Sequence, residues 1–246
     1  MSYSVLYEVY DDFSSADILK KCDFLSKVFK DKNCKILLDV GCGSGLIAKE
    51  MAQRGYSMIG VDSSEEMLSK AKENNAEYPD VLLLSQPAEK LDLYGTVDGA
   101  FAVCDVVNHI TDKKKLQKAF NRISLFLMPD GYFVFDVNTK HKFENVLANN
   151  TFYYENEESS LIWQNDYNEK SGLCSFDLTL FSRENGESYK KSNECFFERF
   201  YSDEELTEML NLSGFEVKQI CGGEYASKRK PLALDERKIF IAKKIR

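Results

Sequence analysis

The stretch Lys35 to Gly45, Lys-Ile-Leu-Leu-Asp-Val-Gly-Cys-Gly-Ser-Gly, narrows what this chain can fold into more than any other. Ile36, Leu37 and Leu38 are a short apolar run ending in glycines, the pattern of a strand buried in a parallel sheet. Gly41, Gly43 and Gly45 follow at alternate positions, and helical spacing resumes at Leu46, Ile47, Ala48 and Met51. Strand, glycine turn and helix make the first half of a nucleotide-binding unit. Without a Cβ the backbone can turn sharply and approach a ligand closely. The first N–H groups of the helix then point at whatever sits on the turn. A dinucleotide fingerprint needs a further glycine three residues after the second. Leu46 stands there, so that pattern fails.

The 246 residues suffice for one α/β domain with an elaboration, or for two small domains. A hydrophobic content of 43% with 29% charged residues predicts a packed core. The net charge of −8 argues against nucleic acid as the main partner, and the short basic runs at 113–115 and 228–230 read as solvated surface. Seven cysteines without a Cys-x-x-Cys pair suit free thiols in a reducing cytoplasm. His109 and His141 are the only histidines, so no metal site is expected. The N-terminus lacks the features of a signal peptide, and no apolar run approaches the roughly 20 residues that span a bilayer, so no membrane partner is expected.

Beyond the turn, Arg54-Gly55 stops the helix and Ser57 to Val61 reads as a second strand. Asp62 follows at its carboxyl end, where a carboxylate can accept hydrogen bonds from the two hydroxyls of a ribose. Ser63, with Glu66 three residues later, predicts a capping box for a helix through Met67, Leu68 and Ala71. Val81 to Leu84 and Val97 to Val103 read as strands three and four. Asp112 to Leu127 reads as a helix, Met128 to Gly131 as a turn and Tyr132 to Val137 as strand five. Cys104 to His109 then lies at the carboxyl end of strand four, where such sheets place reacting groups. Residues 151–200 are rich in aromatics and alternate with period two, which predicts a small antiparallel sheet with Tyr153, Trp163 and Arg199 as candidate pocket residues. Ser202 and Glu205 cap a last helix, and Phe215 to Ile220 and Lys238 to Ala242 are strands six and seven. Ser15 is expected to cap a helix from Ala16 to Phe29, behind a tyrosine-rich arm.

The run Asp39 to Gly45, acid-x-Gly-x-Gly-x-Gly, resembles motif I of the class I S-adenosylmethionine-dependent methyltransferases. Val61 to Leu68 resembles motif II and its helix, and Leu127 to Asp136, Leu-x-Pro-Asp-Gly-x-Phe-Val-Phe-Asp, resembles the post-helix segment of that family. The resemblance implies an α/β, Rossmann-like sheet of seven mostly parallel strands. Its last strand runs antiparallel between strands five and six, and helices cover both faces. The chain then divides into an N-terminal helical arm or lid (1–34), a core (35–138 and 201–246) and an inserted helix with an antiparallel β cap (139–200).

The same resemblance implies S-adenosyl-L-methionine as cofactor. Asp39, Gly41, Cys42, Gly43 and Gly45 would hold the methionyl end and Asp62 the ribose, with Ser63 and Met67 beside it. Gln86 stands near a position often held by Asp, where its amide would meet adenine together with the backbone around Ala88. Cys104 is expected to contact the cofactor by its backbone, and Tyr10, in an x-Tyr-Asp sequence, to cover it. The Asn-Pro-Pro-Tyr sequence of nucleobase and glutamine methyltransferases is absent, which points to a small-molecule acceptor and in-line methyl transfer. His109 is the candidate proton acceptor. A non-catalytic module that binds S-adenosylmethionine or its demethylated product is the alternative.

Overall fold

The computed structural model describes residues 7, 9, 11, 17–185, 188–225 and 228–246; the expectations for Tyr10 and Ser15 lie outside these described residues. In chain order the core contributes α1 (Ile18–Lys30), β1 (Ile36–Val40), α2 (Leu46–Gln53), β2 (Ser57–Asp62), α3 (Glu65–Asn74), β3 (Leu82–Ser85), β4 (Val97–Ala102), α4 (Val106–His109), α5 (Lys113–Phe126) and β5 (Leu127–Asn138). Then come β6 (Thr151–Glu155), β7 (Ser159–Asn168), β8 (Leu173–Asn185) and β9 (Ser188–Arg199), followed by α6 (Asp203–Leu212), β10 (Phe215–Gly222) and β11 (Arg237–Lys244). The seven core strands form one sheet in the order β10-β11-β5-β4-β1-β2-β3. β1 pairs in parallel with β2 and β4, and β11 runs antiparallel between β5 and β10. The order reverses at β1, so the crevice outside its carboxyl end is where a ligand can enter such a sheet.

The sheet is covered on both faces. Leu38, Ala100, Phe133, Phe135 and Phe240 pack with Phe120 of α5 and Leu206 of α6. On the other face Leu37, Phe101, Val134 and Ile239 pack with Leu25 and Phe29 of α1 and Met51 of α2. Phe135 and Phe240 stack across the β5–β11 pair with ring centroids 4.9 Å apart. Burial on both faces is why these strands read as continuous apolar runs. The turn expected at Met128 to Gly131 is absorbed into β5, which begins at Leu127. The β4–β5 register shifts between Val97 and Gly99, and Asp130 turns with φ 64°.

The cap of α3 corrects the sequence reading. Ser64, not Ser63, is the N-cap: its Oγ accepts the Met67 N–H and donates to Glu66 Oε2. Asp62 Oδ1 accepts the Ser64 N–H at 2.9 Å, which adds one residue of turn before the helix begins. Ser202 caps α6 as expected, accepting the Glu205 N–H at 3.2 Å. Ser202→Ala is expected to cost about 1 kcal/mol, lowering Tm by about 2–4 °C in thermal unfolding. An unchanged Tm would mean that water replaces the cap.

β6 to β9 form a separate four-stranded antiparallel sheet in sequence order. Period-two alternation puts Leu161, Phe176, Leu178 and Phe196 on its inner face, against Phe143 and Leu147 of a π-helical turn (Lys142–Leu147). Val9 of the arm is buried in the same cluster. Two residues on, Asp11 accepts from Ser44 Oγ in the glycine turn at 2.5 Å and pairs with Lys70 of α3 at 3.2 Å. The end of β9 docks on the core: Asn108 Nδ2 donates to Arg199 O at 2.8 Å, and Arg199 Nε to Thr111 O at 2.7 Å.

Candidate functional site

β1 delivers Asp39 and the glycine turn to the carboxyl edge of the sheet. The Gly41 and Cys42 N–H groups donate to Val61 O at 2.8 and 3.0 Å, tying the turn to β2. Gly41 has φ +71°, and a Cβ there would stand 2.5 Å from Val106 Cγ2, so α4 can close on the turn only over glycine. Gly45, with φ +74°, is the N-cap of α2, where a Cβ would meet Ala71 of α3 and Asn75 at that helix's C-cap. Its part is to let the two helices approach. The Cys42 side chain is buried beside Gly60, so this residue offers a ligand its backbone rather than its sulfur.

Two carboxylates flank the turn. Asp39 is only 2% exposed, and its Oδ2 has no hydrogen-bond partner among the described residues. It lines a recess of about 30 Å³ with Ile18, Gly41, Cys42, Ser44 and Cys104. Burial, then the nearby Asp62 charge, holds the Asp39 pKa well above the usual carboxylate range. An orphaned buried carboxylate oxygen in a small recess is a seat for a cationic group, which would restore its ordinary ionisation. Asp62 accepts the Gly43 N–H on Oδ2 and the Ser64 N–H on Oδ1, both at 2.9 Å. Burial raises its pKa, while the backbone N–H groups of Ser64, Gly43 and Ser63 oppose the rise. A carboxylate has about four acceptor positions, so those two bonds leave room for two hydroxyls.

Asp62 stands in the wall of a cavity of about 320 Å³. Gly41, Gly43, Ser63, Met67, Gln86, Ala88, Cys104 and His109 line it too. The structure thus gathers most of the sequence-predicted residues on one cavity, with Asp39 and Cys42 in the adjoining recess. Gln86 reaches the wall, but its amide is engaged: Oε1 accepts the Asp92 N–H at 2.7 Å and Nε2 donates to Asp92 O at 3.1 Å. Those two bonds close the loop after β3 and hold the Gln86 amide at the cavity wall. Cys104 has φ +65° and a thiol pushed up to about 11, mainly by burial, so it is no nucleophile.

His109 sits at the end of α4 with its ring 5.3 Å from Phe196 and Nε2 3.7 Å from Glu198 Oε1. Burial pushes its pKa down to about 4, keeping it neutral near pH 7. Glu198 of β9 is itself buried and accepts from Asn138 Nδ2 at 2.8 Å, while Lys142 Nζ donates to Asn138 Oδ1 at 2.9 Å. Burial, then the charge of Asp105, pushes Glu198 up to about 8. Sequence reasoning missed Glu198, and also Asp136 and Arg237, which are joined at 2.7 Å. Their signal was present as charges at the ends of apolar strands, but not the partners. Of the aromatic-sheet candidates, Tyr153 faces solvent and Trp163 packs between Phe152 and Phe176. Arg199 holds the Thr111 and Ser171 carbonyls.

Residues 37–131 match a family profile described as a methyltransferase domain. A Bacillus subtilis (strain 168) protein named as a methyltransferase, YqeM, is 31% identical over 209 residues, covering 85% of this chain and 83% of that one. The crystal structure of an S-adenosylmethionine-dependent methyltransferase from Clostridium acetobutylicum ATCC 824 superposes with a TM-score of 0.87 at 28% identity, covering 98% of each chain. S-adenosylmethionine-bound CalS10, an amino pentose methyltransferase from Micromonospora echinaspora, has a TM-score of 0.74 at 17% identity over 99% of this chain and 98% of its own. At that identity the likeness concerns the fold alone.

Proposed function

Because this chain belongs to the S-adenosylmethionine-dependent methyltransferases, we propose that it methylates a small-molecule acceptor by in-line displacement. The observation that carries the reading is the pairing of a recess holding an orphaned Asp39 oxygen with a larger cavity walled by Asp62. The bound cofactor supplies an electrophilic methyl on a sulfonium, whose departure leaves a neutral thioether. Asp39 and the glycine turn would hold its ammonium end and Asp62 its ribose hydroxyls. Met67 and Ala88 bound the space for the base.

The rest of catalysis is alignment and exclusion of water, which the chain provides through rigid elements. His109, neutral near pH 7, would be the nitrogen that receives the proton of an amine or hydroxyl acceptor, as a weaker base than a free imidazole because burial disfavours its cation. The acidic surface and the aromatic insert favour a compact organic acceptor over a polynucleotide. The amino pentose substrate of a fold neighbour is in keeping with that size. All seven cysteines are free thiols, which suits a reducing cytoplasm, and no helix among the described residues is long and apolar enough to cross a membrane.

Calorimetric titration with S-adenosylmethionine is expected to show one site per chain. With methyl-labelled cofactor, label should pass into the low-molecular-mass fraction of a metabolite extract. Transfer of label to protein or RNA instead would overturn the acceptor class.

A further inference from the structure

Cys104 and Asp105 are consecutive non-glycine residues with φ of +65° each. An L-residue pays a steric penalty in that region, because its Cβ crowds the backbone. In this turn both N–H groups point to one side, and the carboxylate of Asp136 receives them. Cys104 N donates to Oδ2 at 3.1 Å and Asp105 N to Oδ1 at 2.9 Å. Asp136 is fully buried. Its charge is met by Arg237 Nη1 at 2.7 Å and by the hydroxyl of Tyr225. The same guanidinium nitrogen also grips the Asp105 side chain. The clamp therefore spans β5, β11 and the loop after β10, and Tyr225 rests edge-on against Phe24 of α1 at 5.6 Å.

The turn lies at the cofactor site, while the Asp136 clamp that holds it stands behind it. Cys104 lines both the Asp39 recess and the larger cavity. Val106, which follows, occupies the volume that Gly41 leaves by lacking a Cβ. If the turn relaxed toward an ordinary φ, Cys104 and Val106 would shift together, and the space over Gly41 would change shape.

We propose that Asp136, held by Arg237 and Tyr225, is a positioning residue for S-adenosylmethionine: it keeps the Cys104–Asp105 turn left-handed and thereby fixes Cys104 and Val106 against the glycine turn. This rests on the cofactor reading above, so wild-type binding is measured first; its absence would count against that reading and not against the clamp. Asp136→Asn keeps the side-chain shape but turns one acceptor into a donor facing an N–H. With the folded state checked by circular dichroism, its Kd for the cofactor is expected to rise about tenfold or more.

The discriminating variant adds Cys104→Gly to Asp136→Asn. Glycine takes φ +65° without strain, so most of the lost affinity should return. A merely structural Asp136 would show no such rescue. Wild-type affinity in Asp136→Asn, or a loss that Cys104→Gly fails to restore, overturns the proposal. Should Asp136→Asn not fold, Tyr225→Phe carries the test: removing one donor from the carboxylate is expected to weaken binding about threefold, and unchanged binding would be the contrary result.

Discussion

Asp62→Ala is expected to weaken S-adenosylmethionine binding about a hundredfold or more. The carboxylate already receives two backbone N–H groups, from Gly43 and Ser64, and keeps acceptor positions for two hydroxyls. Hydrogen bonds to a charged group contribute about 1.5–3 kcal/mol each. Losing two of them, offset in part by water, amounts to about 3 kcal/mol, a factor above one hundred in Kd. The Gly43 N–H also loses its partner, so the turn loosens in the same variant. Stability should move little. Burial raises the Asp62 pKa, so the folded state bears a cost for its charge. Removing the charge relieves that cost and offsets the lost turn contacts. A large fall in affinity with a nearly unchanged Tm is thus the signature. A Kd within threefold of wild type would rule out Asp62 as the ribose acceptor.

Glu198→Gln is expected to change how stability depends on pH. In the unfolded chain Glu198 titrates near its ordinary 4.5, but in the folded protein near 8. Between those values the folded state holds a proton that the unfolded state has lost, so stability falls as pH rises. His109 acts oppositely: folded near 4 against 6.5 unfolded, it makes stability rise with pH across that interval. The two slopes cancel from about pH 4.5 to 6.5, leaving Glu198 alone from about 6.5 to 8. There the wild type should lose up to about 1.4 kcal/mol per pH unit, or roughly 4–8 °C of Tm over the interval.

Other groups facing the pair are Asp105, Arg237, Lys142 and Asn138, and these are common to both proteins. Asp39, whose pKa is also raised, adds a slope of the same sign to each. The difference between the two Tm profiles therefore isolates Glu198. Thermal melts from pH 5 to 9 should show Glu198→Gln gaining steadily on wild type from pH 5 to about 8, after which the gap stays level. Parallel curves would mean that Glu198 titrates normally.

Local features were legible in the sequence because their causes are local. Alternate glycines, apolar strand runs, the Gly55 stop and the Ser202 cap each act through neighbours in the chain. The sheet order came from resemblance rather than from pattern, since nothing in β11 itself says that it lies between β5 and β10. The Ser63 reading failed by one residue because Asp62 competes for the Ser64 N–H. The bonds of the Gln86 amide to the backbone six residues on were not legible, because an amide suited to adenine is equally suited to such a loop. Asp136 with Arg237, and Glu198 with Asn138, are joined across 101 and 60 residues respectively. Such pairs are set by how the sheet and the insert dock, which no local pattern encodes.

The arm joins two events that a reader of the sequence would treat as independent. Val9 is buried in the core of the four-stranded insert, and Asp11, two residues away, bonds Ser44 in the glycine turn. Residues two apart in the chain are at most about 7 Å apart. A displacement of Asp11 from the turn larger than that reach would disturb Val9, a side chain whose burial is worth about 1.5–3 kcal/mol. Movements at the two ends are therefore expected to be coupled. Exchange at the turn should then speed up whenever the insert's packing is weakened, even by a substitution that touches neither the turn nor the cavity.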